Sequence, residues 1–174
     1  MSSATIRPAV SGDVAAITRI YGEAVANGTA SFEIEPPSEA EMARRLEALL
    51  AKNFPYLVAE RAGVVAGYAC VGPYHTRPAY RWSVEDSVYV APEFQRQGLG
   101  RLLLARLIAQ AEACGFRQMI AVIGDAANAG SIALHAAAGF RHIGAVQSVG
   151  FKHGRWLDSV LMQCPLGQAN STAP

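Results

Sequence analysis

The residues whose types are most suited to catalysis or binding lie close together in the sequence, where a β-rich run is followed by a helical pattern. Two carboxylates, Glu85 and Asp86, stand within the run 84–90, and Gln95-Arg96-Gln97-Gly98-Leu99-Gly100 comes just before the apolar helical spacing of 99–114. Glycines at such a turn let several backbone N–H groups point at one spot, and the helix N-terminus adds partial positive charge. The turn is therefore a candidate site for a phosphate or pyrophosphate.

Two nucleotide-binding motifs do not fit this turn. Leu103 is bulky at the position where a dinucleotide fingerprint needs a small residue, although Asp125 imitates the ribose-binding acid, and no Gly-Lys-Ser/Thr follows as in a Walker A loop. Arg96 and Arg101 place positive charge at a helix N-terminus, which is unfavourable unless an anion binds there. Taken alone, the two glycines could also form only a tight entry into a core helix.

A carboxylate on the preceding strand is a candidate general base. Strand alternation puts Glu85 and Ser87 on one face and Asp86 on the other, so we expect only Glu85 to enter the pocket. Partial burial would raise the pKa of Glu85 toward the working pH, which suits a base that acts directly or through one water. The structural alternative is an ion pair of Glu85 with Arg77 or Arg81.

The run 73–82 favours an irregular loop because it combines two prolines with aromatic and arginine residues. Arg77 and Arg81 are fork-shaped donors suited to a carboxylate or phosphinate, and the neighbouring Tyr80 and Trp82 could cover an apolar side chain. These residues favour a small ligand that carries an acid group. The alternative is that the loop packs a dimer contact, and both roles are compatible.

Periodicity and turn residues predict the elements that position these side chains. A Ser38–Glu41 capping box starts the second helix, and Gly63 and Gly154 mark turns between strands. Alternating strands and helices in the second half imply right-handed parallel crossovers. The predicted strands are 5–9, 56–61, 64–71, 84–90, 119–124 and a final pair ending at 164; the predicted helices are 14–27, about 39–53, 99–114 and 131–138.

Composition bounds the class of protein. The 174 residues are 51% hydrophobic and 17% charged with a formal net charge of +1, which favours one soluble globular domain, 1–167, with a disordered tail at 168–174. The sequence has no concentrated group of basic residues that would indicate nucleic-acid binding, and it has no apolar run long enough to span a membrane. Cys70, Cys114 and Cys164 form neither a disulfide framework nor a metal-ligand pair, so we expect no metal and a cytoplasmic location.

Two motifs in order carry a family resemblance. Gln95-x-x-Gly98-x-Gly100 after Val90-Ala91-Pro92 resembles the acetyl-CoA signature of the GNAT superfamily of N-acetyltransferases. Asn128-x-x-Ser131-x-x-Leu134-His135-x-x-x-Gly139-Phe140 resembles its later motif. The runs 80–90, 121–124 and 150–158 are similar to phosphinothricin and methionine sulfoximine N-acetyltransferases, and the likeness extends from Ile6 to about Leu166.

The resemblance implies an α/β (mixed α+β) GNAT fold: a twisted mixed sheet with helices on both faces and splayed central parallel strands. It also implies a homodimer and acetyl-CoA as co-substrate. His135 stands where the superfamily commonly has a tyrosine, and its role as acid, base or substrate contact stays open beside that of a packed helix histidine. The implied residues are Glu85 and His135 for catalysis; Val88, Tyr89, Val90, Gln95, Arg96, Gln97, Gly98, Leu99, Gly100, Arg101, Asn128 and Ser131 for acetyl-CoA; and Phe32, Arg77, Arg81, Glu85 and Ser87 for the acceptor.

Three functions follow as hypotheses. The first is an acetyl-CoA-dependent transferase for the α-amine of phosphinothricin, methionine sulfoximine or a related amino acid. The second is a GNAT acetyltransferase for another amine, an aminoglycoside or a protein N-terminus, although a polycationic acceptor calls for an acidic cleft and the chain shows no acidic cluster. The third is a CoA-binding module without turnover, against which Glu85 and His135 argue.

Overall fold

Seven strands form one mixed sheet in the computed structural model, which describes residues 4–173. Their spatial order is β1-β2-β3-β4-β5-β7-β6, and only the β4–β5 pair is parallel. Residues 1–3 and 174, which the predicted domain and tail include, lie outside the described part. The strands are β1 (Thr5–Pro8), β2 (Tyr56–Arg61), β3 (Val64–Pro73), β4 (Ser83–Val90), β5 (Gln118–Gly124), β6 (Arg141–Lys152) and β7 (Arg155–Pro165).

Four α-helices accompany the sheet, close to the predicted ranges. They are α1 (Val14–Asn27), α2 (Glu39–Leu50), α3 (Leu99–Ala113) and α4 (Ala129–Ala137). Ser38 caps α2 by accepting a hydrogen bond from the Glu41 N–H at 3.2 Å, as the capping box predicts. No helix of the described chain is both long and apolar enough to span a bilayer.

The sheet carries a hydrophobic core on each face, so helices cover both sides as predicted. Alternation in β2 shows the division: Leu57 and Ala59 pack into the core that contains Leu103 and Leu107 of α3. Tyr56 and Val58 face the other way, into the core formed with α1 and α2. Each face of this central region is therefore buried, and the sheet is held rigidly between two helical layers.

The parallel strands β4 and β5 separate soon after they meet. Their pairing covers only Ser83–Glu85 opposite Gln118–Ile120, and no pairing between the two strands continues beyond Glu85 in residues 4–173. This opening confirms the splayed central strands expected from the resemblance. β6 runs parallel to β5, as the crossover prediction requires, but β7 lies between them and pairs antiparallel with both.

The C-terminal residues 168–173 form turns beside α3 and β5. The Arg117 guanidinium donates hydrogen bonds to Thr172 Oγ1 at 3.3 Å and to Ala173 O at 3.4 Å. The domain limit at residue 167 remains a prediction, because these contacts describe the segment without testing where the domain ends.

Candidate active site

A cavity of about 290 Å³ occupies the opening between β4 and β5. It is lined by side chains from α1, β4, β5, α4 and β7 and from the loop that follows α1. The sequence-predicted residues that it brings together are Phe32, Glu85, Ser87, Val88, Tyr89, Asn128, Ser131 and His135.

The unpaired edge of β4 borders this cavity with free backbone groups. Ala91 N donates to Ala66 O of the neighbouring β3 region at 2.9 Å, which sets the alternation of the antiparallel ladder. The N–H groups of Val88 and Val90 and the C=O groups of Asp86 and Val88 therefore point away from β3, toward the side that β5 has left, while the Val90 C=O accepts from the Gln95 side chain. This edge can pair with a ligand that carries amide groups.

Both carboxylates of β4 line the cavity, and the expectation that only Glu85 would enter it is wrong. The alternation itself is correct, since Val84 packs in the α3 core and Tyr89 against the α1–α2 core. The cavity reaches both faces because it passes through the gap between the separated strands. Asp86, which strand alternation placed on the opposite face, therefore also lines the cavity.

Glu85 has the electrostatics of a general base. Burial raises its pKa to about 7, and the negative charge of Asp86 adds to this shift. Neither Arg77 nor Arg81 forms an ion pair with Glu85, so the structural alternative does not hold in the described residues. A carboxylate that is half protonated near neutral pH can accept a proton from an ammonium group and release it again.

His135 is buried, and both of its ring nitrogens have protein partners. Nε2 lies 2.9 Å from Asp86 Oδ2, and Nδ1 lies 2.8 Å from the carbonyl oxygen of Ser131. A carbonyl only accepts, so Nδ1 carries a proton. Burial lowers the pKa of His135, but the hydrogen bond and charge of Asp86 outweigh this effect and leave the pKa raised. Asp86 therefore favours the imidazolium form of His135, and the two ring nitrogens are already engaged by Asp86 and Ser131.

The glycine turn lies outside the cavity, at the start of α3, and is shaped by left-handed backbone. Arg96 has φ of 58° and Gly98 has φ of 82°, and no side chain caps the helix at Gly98. The Gln95 side chain donates to Val90 O at 3.1 Å and that of Gln97 to Glu93 O at 3.0 Å. The glutamine side chains thus hold the turn, while the first N–H groups of α3 remain available to an anion.

Gly100 has a packing role that the sequence did not show. A Cβ placed there would meet Leu134 Cδ2 at 3.4 Å and Val90 Cγ2 at 3.9 Å. It points toward α4 and β4, so any larger side chain would push against Leu134, the neighbour of His135. These distances are ordinary van der Waals contacts, so a methyl group fits there and a tight helix entry is not required at Gly100; the left-handed backbone of the turn is at Arg96 and Gly98.

The loop after α1 closes one wall of the cavity through close contacts with β5 and β6. A Cβ at Gly150 would lie 2.5 Å from the Phe32 ring, and a Cβ at Gly124 would lie 2.5 Å from Thr29 O. Lys152 is buried and donates to Ser31 O at 2.8 Å. Phe32 is thereby fixed against the cavity by contacts that are distant in sequence.

Arg77 and Arg81 are not brought to the cavity. Both are exposed on the loop that leads into β4, and the Arg81 guanidinium lies over the Trp82 ring at 5.2 Å. Tyr80 packs against other aromatic rings of the same loop. A role for these arginines in acceptor binding therefore remains a prediction.

Comparison with known proteins identifies the family. The profile of the acetyltransferase (GNAT) family matches residues 17–140. The chain is 51% identical over 170 residues to the phosphinothricin N-acetyltransferase of Alcaligenes faecalis, covering 98% of this chain and 86% of that one. The chain belongs to the GNAT acetyltransferase family. A crystal structure of a GNAT phosphinothricin acetyltransferase from Sinorhizobium meliloti with AcCoA superposes at TM-score 0.96 and 50% identity, covering 100% of this chain and 94% of the other.

Two further relatives widen the range of acceptors within the family. The L-methionine sulfoximine/L-methionine sulfone acetyltransferase of Salmonella typhimurium is 43% identical, covering 94% of this chain and 95% of its own. A ribosomal-protein-alanine N-acetyltransferase from Brucella melitensis matches at TM-score 0.91 and 42% identity, with 93% and 99% coverage. Membership in the family makes this chain an acetyltransferase that uses acetyl-CoA as co-substrate.

The residues present fit acetyl-CoA. The uncapped N-terminus of α3 and the left-handed turn suit a pyrophosphate, and the free β4 edge suits the amides of a pantetheine arm. Among residues 4–173, no group of three His, Cys, Asp or Glu residues is placed to hold a metal ion.

Replacing Gly98 by alanine tests the turn. A left-handed conformation costs an L-residue about 1–2 kcal/mol, which is about 10-fold in Kd when it must be adopted to bind. We expect calorimetry to show CoA binding about 10-fold weaker in Gly98→Ala. Gly12→Ala is the control, since Gly12 lacks a positive φ and a Cβ there meets nothing within 4 Å. Unchanged affinity in Gly98→Ala would exclude the turn as the pyrophosphate site.

Replacing Gly150 by alanine tests the wall that Phe32 forms. Overpacking of this kind costs about 1–3 kcal/mol, so the Phe32 ring must move. We expect a severalfold rise in the KM of the acceptor with CoA affinity unchanged, measured by steady-state kinetics and calorimetry. Gly144→Ala in the same strand is the control, because its Cβ meets nothing within 4 Å. An identical acceptor KM in both variants would contradict the role of Phe32.

Proposed function

We propose that this GNAT acetyltransferase transfers acetyl to the α-amine of a small amino acid or amino-acid analogue, with phosphinothricin and methionine sulfoximine as representatives of the acceptor class. The observation that carries the proposal is Glu85, a partly buried carboxylate with a pKa near 7 in the cavity between the splayed strands. The names of the relatives at 51% and 43% identity support the acceptor class. A cavity of about 290 Å³ is of a size for a small acceptor.

Binding would place the two ends of acetyl-CoA at separate parts of the structure. The amides at 96–101 would hold the pyrophosphate, with Arg96 and Arg101 adding charge, and the unpaired edge of β4 would hold the arm. Asn128 caps α4 by accepting from the Ser131 N–H at 3.2 Å, which orients both residues at the cavity. Bound acetyl-CoA supplies the acetyl group as a thioester.

Glu85 would remove the proton that blocks attack by the amine. An ammonium group has no lone pair, and a base with pKa near 7 accepts its proton without being permanently protonated at neutral pH. The Val90 N–H, which points toward the opening, would stabilise negative charge on the carbonyl oxygen of the thioester. His135, when protonated, would favour the negative charge on the thiolate of CoA that leaves as the C–S bond breaks. Phe32 and Ser87 would contact the acceptor.

The acceptor class is tested by measuring thiol release from acetyl-CoA with a panel of amines. We expect turnover with phosphinothricin, methionine sulfoximine or related L-amino acids. The structural relative that is named for ribosomal-protein alanine makes an N-terminal alanine peptide the informative second arm. Turnover with that peptide alone would replace the proposal by protein N-terminal acetylation, and CoA binding without turnover would replace it by a binding module.

Glu85→Gln tests the base. We expect kcat/KM at neutral pH to fall about 10²–10⁴-fold, and the acid limb near pH 7 to be replaced by a rise that continues toward the pKa of the acceptor amine. The measurement is kcat/KM from pH 5.5 to 9.5, a range of about four units around the wild-type limb. A pH profile of unchanged shape would remove Glu85 from this role.

The stability of Glu85→Gln provides the control for folding. The pKa of Glu85 in the folded state lies above that of an unfolded glutamate, about 4.3, so the ionised form destabilises the fold above pH 7. A neutral glutamine removes this cost, and we expect thermal unfolding at pH 8 to occur no lower than in the wild type. A lower melting temperature would attribute the loss of rate to unfolding.

We also propose a homodimer in the cytoplasm. β6 is an edge strand of 12 residues, and the β6–β7 hairpin exposes Ile143, Val146, Val149, Phe151 and Trp156, the last at 63%. Exposed apolar edges of this kind favour association. Light scattering should give twice the chain mass of 18.4 kDa, and the mass of one chain would overturn the dimer. Unpaired Cys70, Cys114 and Cys164 support a reducing compartment.

A further inference from the structure

Asp86 occupies the position where the two parallel strands part. It follows Glu85, the last β4 residue that pairs with β5, and its side chain is only 1% exposed. Oδ2 contacts His135 Nε2 at 2.9 Å, a contact between β4 and α4 across 49 residues of sequence. Asp86 thus joins the strand that carries Glu85 to the helix that carries His135, and all three residues line the same cavity.

The Asp86–His135 pair contributes little to the stability of the fold. Removing two charges from water costs several kcal/mol per ion, and apolar residues of similar volume are often at least as stable. Asp86 Oδ1 is buried and has no hydrogen-bond partner within residues 4–173, which adds to the cost. A pair that is expensive, incompletely satisfied and placed at the cavity wall is better explained by what its charges do there.

The ionisable groups around the cavity determine which side chains the charge of Asp86 acts on. The titratable residues that face Glu85 are Asp86 and Tyr89 on β4, Cys70 on β3, Tyr21 on α1 and His135 on α4; β5 contributes none. Burial keeps the thiol and phenol groups neutral by raising their pKa values. Asp86 is therefore the charge that acts on Glu85, and it also contacts His135.

We propose that Asp86 is a positioning residue for acetyl transfer, which holds the His135 ring against the cavity through Nε2 and places a carboxylate beside Glu85. The inference rests on the proposed function, because it concerns the proton steps of the same site. Asp86 touches neither the acceptor nor the thioester; it acts through its two neighbours. It favours positive charge on His135 while it makes Glu85 a better proton acceptor, so that both effects act in one small cavity.

Asp86→Asn is the central test, since it keeps the shape of the side chain and removes its charge. The asparagine amide can donate to Nε2 of a neutral His135, which preserves the contact. We expect the acid limb of kcat/KM to move about one unit to lower pH, because the like charge beside Glu85 is gone. We also expect the plateau rate to fall about tenfold, by analogy with the loss of one tuned proton-transfer partner. A purely structural role would lower the rate without moving the limb.

Asp13→Asn is the matched control. Asp13 is also a buried aspartate in a salt bridge, with Arg7 at 2.8 Å, and it does not line the cavity. We expect this variant to lose stability but to keep the wild-type position of the acid limb. Asp86→Glu provides the rescue variant: it restores the negative charge, and we expect its limb to return toward that of the wild type. Equal limbs in Asp86→Asn, Asp86→Glu and the wild type would overturn the proposal.

A measurement without turnover separates this inference from the proposed function. NMR titration of the unliganded protein follows His135, assigned among the four histidines with a His135→Gln variant. We expect the pKa of His135 to fall below about 6.5 in Asp86→Asn and to stay raised in Asp13→Asn. If no amine is acetylated, the proposed function fails while this titration still reports the coupling; an unchanged His135 titration overturns the coupling whatever the activity. If Asp86→Asn does not fold, the Asp86→Glu titration decides.

Discussion

The separation of β4 from β5 after three paired positions is the constraint on which the site depends. Backbone groups of a central strand are normally used by both neighbours, and here the β5 side of 86–90 is left without one. The opening frees amide groups for a ligand, creates a cavity and gives that cavity access to both faces of the sheet. The two helical layers make this possible, because each face has its own hydrophobic core and the sheet needs no further pairing at that point to stay folded.

Charges in the opening are arranged so that burial changes their proton affinities. The same desolvation that raises the pKa of Glu85 opposes a charge on His135, and Asp86 reverses the second effect while it strengthens the first. The arrangement costs stability, since buried carboxylates are retained where apolar side chains would pack. Contacts in the surrounding structure stabilise the cavity wall. Lys152 and the close approach of Phe32 to Gly150 hold the loop after α1 in place.

The family assignment and the geometry agree that acetyl-CoA is the co-substrate. Neither identifies the acceptor, which depends on the residues of one cavity wall. Relatives named for phosphinothricin, methionine sulfoximine and ribosomal-protein alanine share this fold, so the sheet and the α3 turn do not by themselves select an amine. Selection has to come from the residues that face the cavity away from the turn. Phe32 and the loop that carries it are the parts of the structure in which such differences can accumulate.

The family resemblance named eight of the seventeen residues that line the cavity, and the sequence by itself determined the order and type of the elements and the turn that suits a pyrophosphate. The elements and the turn depend on local features: periodicity, caps and glycine spacing act over a few residues and can be recognised in a single sequence. Asp86 was excluded because alternation along an isolated strand assigns it to the opposite face from Glu85. Only the tertiary structure decided that both line one cavity, since this depends on where β5 leaves β4. It also decided the contacts of Asp86 with His135, of Lys152 with Ser31 and of Gly100 with Leu134, because such contacts join segments whose distance in space no local pattern records.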